Sequence, residues 1–426
     1  MLALSFCLAC RTPWISPYGV LRSEVSAGQY ELAAAYVESV KDSFYDPKSR
    51  LLYELDRGMI LHHAQHYAAS NEALERAKRL AEILWTASLS EEMASLVMSD
   101  ETLAYPGEDF ERVLIHFVES LNYAALGDLA AARVEAIQIG EDLDLVRMRN
   151  AGPQTYRDDA FARWLAGRLA ETQGDASAYS DAWIDYRRAL ALYEGDYTKH
   201  YATPVPQLVV RSGLRALVAL GPAFADERQA LAARYPAIAA AAPSGDAAAL
   251  GHLVFIHLNG EAPLKEDRFE ELDLISAKVR VAYPTFVPRP PKIVYASLTT
   301  PGGPATPVRT ELVEDIAAIA VQDLADHLER LRGQVLARSL TKLALASGMG
   351  VFGIFIDPAG DDVTADKRSW GTLPANLTAA ELDLPPGTHL LTLQFHDSSG
   401  RVLETAQRTV EVRAGATLVL SHRTSQ

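Results

Sequence analysis

The feature that most constrains this chain is a helical hydrophobic period that runs from Leu21 to about Leu220. Apolar side chains recur at i, i+3, i+4 and i+7, alanine is abundant, and β-branched runs are few, which predicts amphipathic helices. Four segments inside this region repeat one pattern: "AGQYELAAAYVESV", "AQHYAASNEALERA", "LGDLAAARVEAIQI" and "YSDAWIDYRRALAL". Each holds a small residue, a larger one four positions on and a third three further, as in Ala33/Val37/Val40, Ser70/Leu74/Ala77, Ala132/Ala136/Ile139 and Ala182/Tyr186/Ala189. A small side chain early in a second helix lets it approach the first helix of an antiparallel pair, and the bulkier residue fills the gap one turn later. Gly28, Gln65, Gly127 and Gly174 fall at the turns, where a positive φ is often required.

The first helices agree in part: Gly58/Leu61 and Ser120/Tyr123 fall on the small and large positions, and Gly167 fits the fourth unit, whose large position is only Ala170. This spacing resembles the tetratricopeptide repeat, a helix-turn-helix unit. The intervals between turns are irregular, so the expectation is a degenerate set of three to four hairpins followed by one more helical pair. "YPGEDFER" reads as a Pro-Gly loop entering a helix whose acidic first turn suits the helix dipole, rather than as paired acid–base carboxylates.

At residues 242–250 the pattern changes. "HLVFIHLNG", "AKVRVAYPTFV", "KIVYASLTTPGG" and "TPVRTELV" are short runs bounded by Gly and Pro, and after a long helix at about 313–347 come "NLTAAELDL", "THLLTLQFHD", "RVLETAQRTVEV" and "ATLVLSH". Short strands at this spacing predict a β-sandwich. The expected fold is therefore α+β and multidomain. A leader remnant (1–20) precedes a helical-hairpin array (21–241), and a β-sandwich-like domain with an inserted helix (251–426) follows the linker.

The 426 residues carry a formal net charge of -15, which disfavours non-specific nucleic-acid binding. The two cysteines, Cys7 and Cys10, lie in "MLALSFCLAC", so no disulfide staples the body. An apolar run ending in small Ala9 before Cys10 reads as the end of a lipoprotein signal, with Cys10 the lipid attachment site, although a basic n-region is missing and Cys7 replaces the usual Leu.

"LLYELDRGMILHHAQHYAAS", "YPGEDFERVLIHFVESLNYAALGDLAAARVEA", "TELVEDIAAIAVQDL" and "ADKRSWGTLPANL" resemble an uncharacterised family of bacterial cell-envelope tetratricopeptide-like lipoproteins, over roughly Leu21 to Val412. The resemblance implies an exported, membrane-tethered protein that works through contacts with other envelope proteins or peptides, facing the periplasm. It implies no catalytic residues and no cofactor.

The residues themselves leave three readings. The first is a non-catalytic scaffold. In the hairpin register Met59, His62, His63, Phe117, Leu121, Trp164, Arg168 and Glu171 line a concave wall fit for a peptide or a partner helix, unless the array is closed and they are core. The second is a metal-dependent hydrolase at His62, His63 and His66. That set lacks the Glu of His-Glu-x-x-His and a further ligand, and the register puts His66 in the turn. The third is a glycan-binding module at "DKRSWGTLP", where Lys367, Arg368 and Trp370 fall together in a loop; the plainer expectation is that Trp370 plugs the end of the sandwich.

Overall fold

The structure is a computed structural model of the full chain, and it describes residues 17–91, 103–149, 154–241, 249–274, 277–328, 331–333 and 365–426. Cys10, most of the leader and the distal part of the expected inserted helix lie outside the described residues.

The amino-terminal part is helical. Sequential pairs are α1 (Pro17–Ser26) with α2 (Tyr30–Ser39), α3 (Arg50–His63) with α4 (Tyr67–Glu91), α5 (Asp109–Ala125) with α6 (Leu129–Arg149), and α7 (Ala160–Ala170) with α8 (Ala176–Leu192). After the short α9 (Thr198–His200) come α10 (Gln207–Ala219), α11 (Ala225–Arg234) and α12 (Pro236–Ala240). Helices adjacent in sequence pack on one another. The four turn residues Gly28, Gln65, Gly127 and Gly174 all have positive φ, between 64° and 83°.

The small residues act as the spacing implies. A Cβ on Gly58 would sit 2.5 Å from Leu74 Cδ2, and one on Gly167 would sit 2.6 Å from Tyr186 Cε1. Both contacts are far inside van der Waals distance, so these helices meet only because the side chain is absent. Ser70 Oγ donates to the Gly58 carbonyl and Ser120 Oγ to that of Ala132, both at 2.7 Å, which ties each hairpin through its small positions.

The carboxyl-terminal part is sheet-rich. Its strands are β1 (Gly251–Asn259), β2 (Leu264–Leu274), β3 (Ala277–Val287), β4 (Tyr295–Thr299), β5 (Val308–Arg309), β6 (Glu311–Glu314), β7 (Asn376–Leu384), β8 (Gly387–His396), β9 (Val402–Val412) and β10 (Thr417–Thr424). One four-stranded sheet has the order β10-β1-β7-β6, a second has β5-β4-β8-β9, and β2 and β3 form a separate ribbon. The acidic β2 departs from the sequence expectation. Its segment "LKEDRFEELDL" lacks an apolar run, and it is a strand because it pairs along its full length with β3. Helix α13 (316–328) begins later than expected, since Val313 belongs to β6, and the Asp315 side chain caps it by accepting from Ala318 N.

Strand β1 explains how the two parts join. Leu253 and Phe255 face the second sheet, in one core with Ala296, Leu382, Leu393 and Phe395. Val254, Ile256 and Leu258 face the opposite way, into the core shared with the helices. A strand apolar on both faces has to be covered twice. Its other neighbour, β10, runs parallel to it, which brings the last strand beside the first.

Candidate functional site

The residues expected to line a concave wall are not open to solvent. Met59, His62, Phe117, Leu121, Trp164 and Arg168 are all buried, and His63 and Glu171 are half-buried. Met59, Phe117, Leu121 and Trp164 share one core with Val254, Ile256, Leu258, Leu377, Ala379 and Val419 of the first sheet. The expectation of an accessible groove is therefore corrected, because the chain's own sheet occupies it. The physical reason is the apolar outer face of that sheet, which in solvent would expose three large aliphatic side chains of β1 alone.

Polar contacts fix this docking. Arg168 forms ion pairs with Glu171 and, at 2.6 Å from its Nε, with Glu381 of β7. Arg215 of α10 pairs with Glu171 at 3.1 Å and with Glu381 at 3.5 Å, so two arginines neutralise two carboxylates across the seam. Trp164 Nε1 donates to Ser212 Oγ at 3.0 Å. Tyr193 donates to the Val313 carbonyl, and Tyr197 to Glu314 of β6.

The histidines are part of the same seam. His62 Nδ1 lies 2.7 Å from Asn122 Oδ1, and its Nε2 lies 3.2 Å from Ser421 Oγ of β10. The carboxamide oxygen only accepts, so Nδ1 carries the proton and Nε2 accepts from the serine. The Asn122 amide in turn donates to Ser70 Oγ and Asn71 Oδ1. Burial pushes the His62 pKa down to about 4, against the Asn122 bond, so the ring is neutral. His66 lies in the turn between α3 and α4 and pairs with Glu31 at 2.7 Å. His62, His63 and His66 do not form a group with metal-ligand spacing among the described residues.

Two other groups do have that spacing: His116/Glu119/Glu135 and Asp109/Asp323/His327. In the first, Lys78 sits 2.7 Å from Glu119 and 3.5 Å from Glu135, and His116 is held by Glu135 at 2.6 Å and Asp142 at 3.1 Å. Burial opposes the charge on His116, but the hydrogen bonds and fields of Asp142 and Glu135 outweigh it and lift the pKa to about 9. This lattice of alternating charges joins α4, α5 and α6. In the second, Asp109 occupies the first turn of α5, where the helix dipole already favours an anion and disfavours a cation.

The loop with Lys367, Arg368 and Trp370 is also a seam element. Trp370 is buried, and its backbone N–H donates to Glu111 Oε1 at 2.6 Å, so it does not project as a free recognition aromatic. Lys367 pairs with Asp267 at 2.9 Å. Arg368 pairs with Asp366, donates to the carbonyls of Lys48 and Leu103, and lies over the Tyr105 ring. Sequence reasoning missed Glu111 and Asp56, the sockets for this loop. Asp56 accepts from Tyr18, Tyr45 and Thr372; burial lifts its pKa to about 6, against those three hydrogen bonds. Both residues are acids on otherwise apolar helix faces. That was the available signal, but nothing in the sequence named their partners.

The inner face is filled, whereas the outer helical layer stays in solvent. Each second helix exposes a large aliphatic: Leu32 of α2 (57%), Ile83 of α4 (63%), Val134 of α6 (61%) and Ile184 of α8 (54%). A groove of about 460 Å³ between α6 and α8 is lined by Gly140, Ile184, Arg187 and Arg188.

No family model, curated protein or solved structure matches this chain.

Proposed function

We propose that this protein is a non-catalytic interaction scaffold of the bacterial cell envelope, with a tetratricopeptide-like hairpin array packed on a β-sandwich-like domain. In this reading Cys10 carries a lipid that tethers it facing the periplasm, and tethering raises its effective concentration near membrane partners. Other envelope proteins engage the outer layer of α2, α4, α6 and α8 rather than the inner groove. The observation that carries the reading is the occupation of the inner face by the chain's own sheet, together with recurrent exposed aliphatics on the outer one. Solvent-exposed large aliphatics that recur from hairpin to hairpin offer anchors for a partner, with Arg187 and Arg188 at the rim.

The test places a photo-crosslinking amino acid at Val134, at Ile184 and, as a control on the far domain, at Val402, in cells making the full chain or its Cys10→Ser variant. The expected result is one and the same adduct from Val134 and Ile184, absent at Val402 and weakened by Cys10→Ser. Adducts from neither helical position, or equal adducts from Val402, would overturn the assignment. Loss of the Cys10 effect alone would remove the tether and leave the scaffold.

A further inference from the structure

A cleft of about 800 Å³ runs along the seam between α1, the α2–α3 connection and the start of β2. That size suits a small molecule. One wall is aromatic: Tyr18 and Phe44 have ring centroids 5.8 Å apart, with Leu52 and Leu264 beside them. The Tyr18 hydroxyl is committed to Asp56 and to the Gly371 N–H, so the cleft meets its ring rather than its hydroxyl.

The other wall is cationic, in a chain whose overall charge is -15. Lys265, Arg289, Lys367 and Arg368 line the cleft, and each has a carboxylate partner: Glu108, Glu261, Asp267 and Asp366. Arg22 lines it too and has no ion-pair partner among the described residues. The cleft's remaining carboxylate, Asp46, accepts from the backbone N–H groups of Lys48 and Ser49.

A second, independent observation lies behind this wall. Arg423 of β10 is buried, and among the described residues its Nε and Nη1 have no hydrogen-bond partner, while Nη2 reaches the Leu373 carbonyl at 3.3 Å. Burial pushes its pKa down to about 10. The fields of Tyr30 and Glu261 offset this, and that of Arg289 adds to it. The Arg289 pKa is lowered as well, by burial first and then by the charge of Arg22, against the field of Glu261. Arg22, Arg289 and Arg423 thus act on a common neighbourhood in which Glu261 is the paired carboxylate. Unpaired positive charge held in low dielectric is costly, and an anion brought to it removes that cost.

We infer that this cleft binds a small amphipathic anion: a carboxylate or phosphate head at Arg22 and Arg289, on an aromatic or short aliphatic body lying against Tyr18 and Phe44. A small ligand is favoured over an acidic protein. Its one or two charges meet the local arginines, whereas a large acidic surface also meets the net negative charge of the rest of the chain within a screening length of about 8 Å. The same chemistry is offered by a free metabolite-sized aryl or alkyl phosphate and by an anionic lipid headgroup.

The test is calorimetric titration of the full chain with phenyl phosphate, against phenol and inorganic phosphate. A parallel arm co-sediments the protein with phosphatidic acid vesicles and with phosphatidylcholine vesicles. The expected result is one-to-one binding of phenyl phosphate at least tenfold tighter than either fragment, and at least a tenfold loss in Arg22→Ala, which removes a half-buried side chain without an ion pair among the described residues and should leave the fold intact. Arg423→Met should raise the thermal midpoint of the ligand-free protein while weakening phenyl phosphate binding. Arg22-dependent sedimentation with phosphatidic acid only would identify a headgroup site, and Arg22-dependent binding of soluble phenyl phosphate alone a free-ligand site. Phenyl phosphate binding no tighter than phenol, or binding untouched by Arg22→Ala, would overturn the inference, provided phosphatidic acid vesicles also give no Arg22-dependent sedimentation. This cleft lies apart from the outer helical layer, so either assignment can fail alone.

Discussion

Replacing Arg168 with methionine tests whether the sheet is locked into the helical groove. Arg168 is 2% exposed and sits between Glu171 of the array and Glu381 of β7. Without it Glu171 keeps Arg215 at 3.1 Å and the Tyr186 hydroxyl at 2.8 Å. Glu381 keeps only the long 3.5 Å contacts to Arg215 and Ser212. One guanidinium then faces two carboxylates whose side chains are only 7% and 11% exposed, so one negative charge is left uncompensated. Breaking a buried pair from one side costs about 3–5 kcal/mol, and the residual Arg215 contacts place this case near the lower end. Removing both charges in Arg168→Met/Glu381→Leu leaves the Arg215–Glu171 pair intact and should return stability to within about 1 kcal/mol of the parent, a recovery on the order of 2 kcal/mol relative to Arg168→Met alone. Urea unfolding of the full chain, followed by far-ultraviolet circular dichroism and tryptophan fluorescence, measures each corner of the cycle. A single-variant cost below about 1 kcal/mol, or a double variant equal to the sum of the singles, would refute the lock.

Two further expectations concern the helices themselves. Gly58→Ala should destabilise despite the gain of about 1 kcal/mol in helix propensity, because its Cβ falls 2.5 Å from Leu74; overpacking of about 1–3 kcal/mol wins, and in a Leu74→Ala background, itself destabilised by the lost core side chain, the same Gly58→Ala change should cost less or turn favourable in the same unfolding assay. A stabilised Gly58→Ala would show that the hairpin is not closely packed there. His116 has a folded pKa raised to about 9 from 6.5, so its contribution is fully present below pH 6.5 and is lost as pH rises through 9. The shift corresponds to on the order of 3 kcal/mol, and His116→Gln should flatten stability between those two pH values. An unchanged slope in that variant would exclude a charged His116.

Parts of this architecture are local and were legible in the residues. The small positions Gly58, Ser70, Ser120, Ala132 and Gly167 lie where helices touch, and the four turns fall at Gly28, Gln65, Gly127 and Gly174 with positive φ. His66 falls in its turn, as the register required, and the acidic start of α5 is a helix cap. These features follow from φ preference and from side-chain size at fixed helical spacing, which neighbours in the chain decide among themselves.

The candidate surface was a different matter. The register put Met59, His62, Trp164 and Arg168 on one wall, but a wall is a binding site only while nothing covers it. What covers it comes from the far end of the chain, in Glu381 and Ser421. One hint was present: "HLVFIHLN" is apolar at consecutive positions, and a strand of that kind requires a partner on each face. Which partner it finds, and which acids such as Asp56 and Glu111 then receive Thr372 and Trp370, depends on contacts between residues distant in sequence. Helical period and turn chemistry are written residue by residue, so the paired helices could be read from the chain alone. Burial is a property of surfaces brought together, so which faces stay in solvent emerges once distant segments have packed.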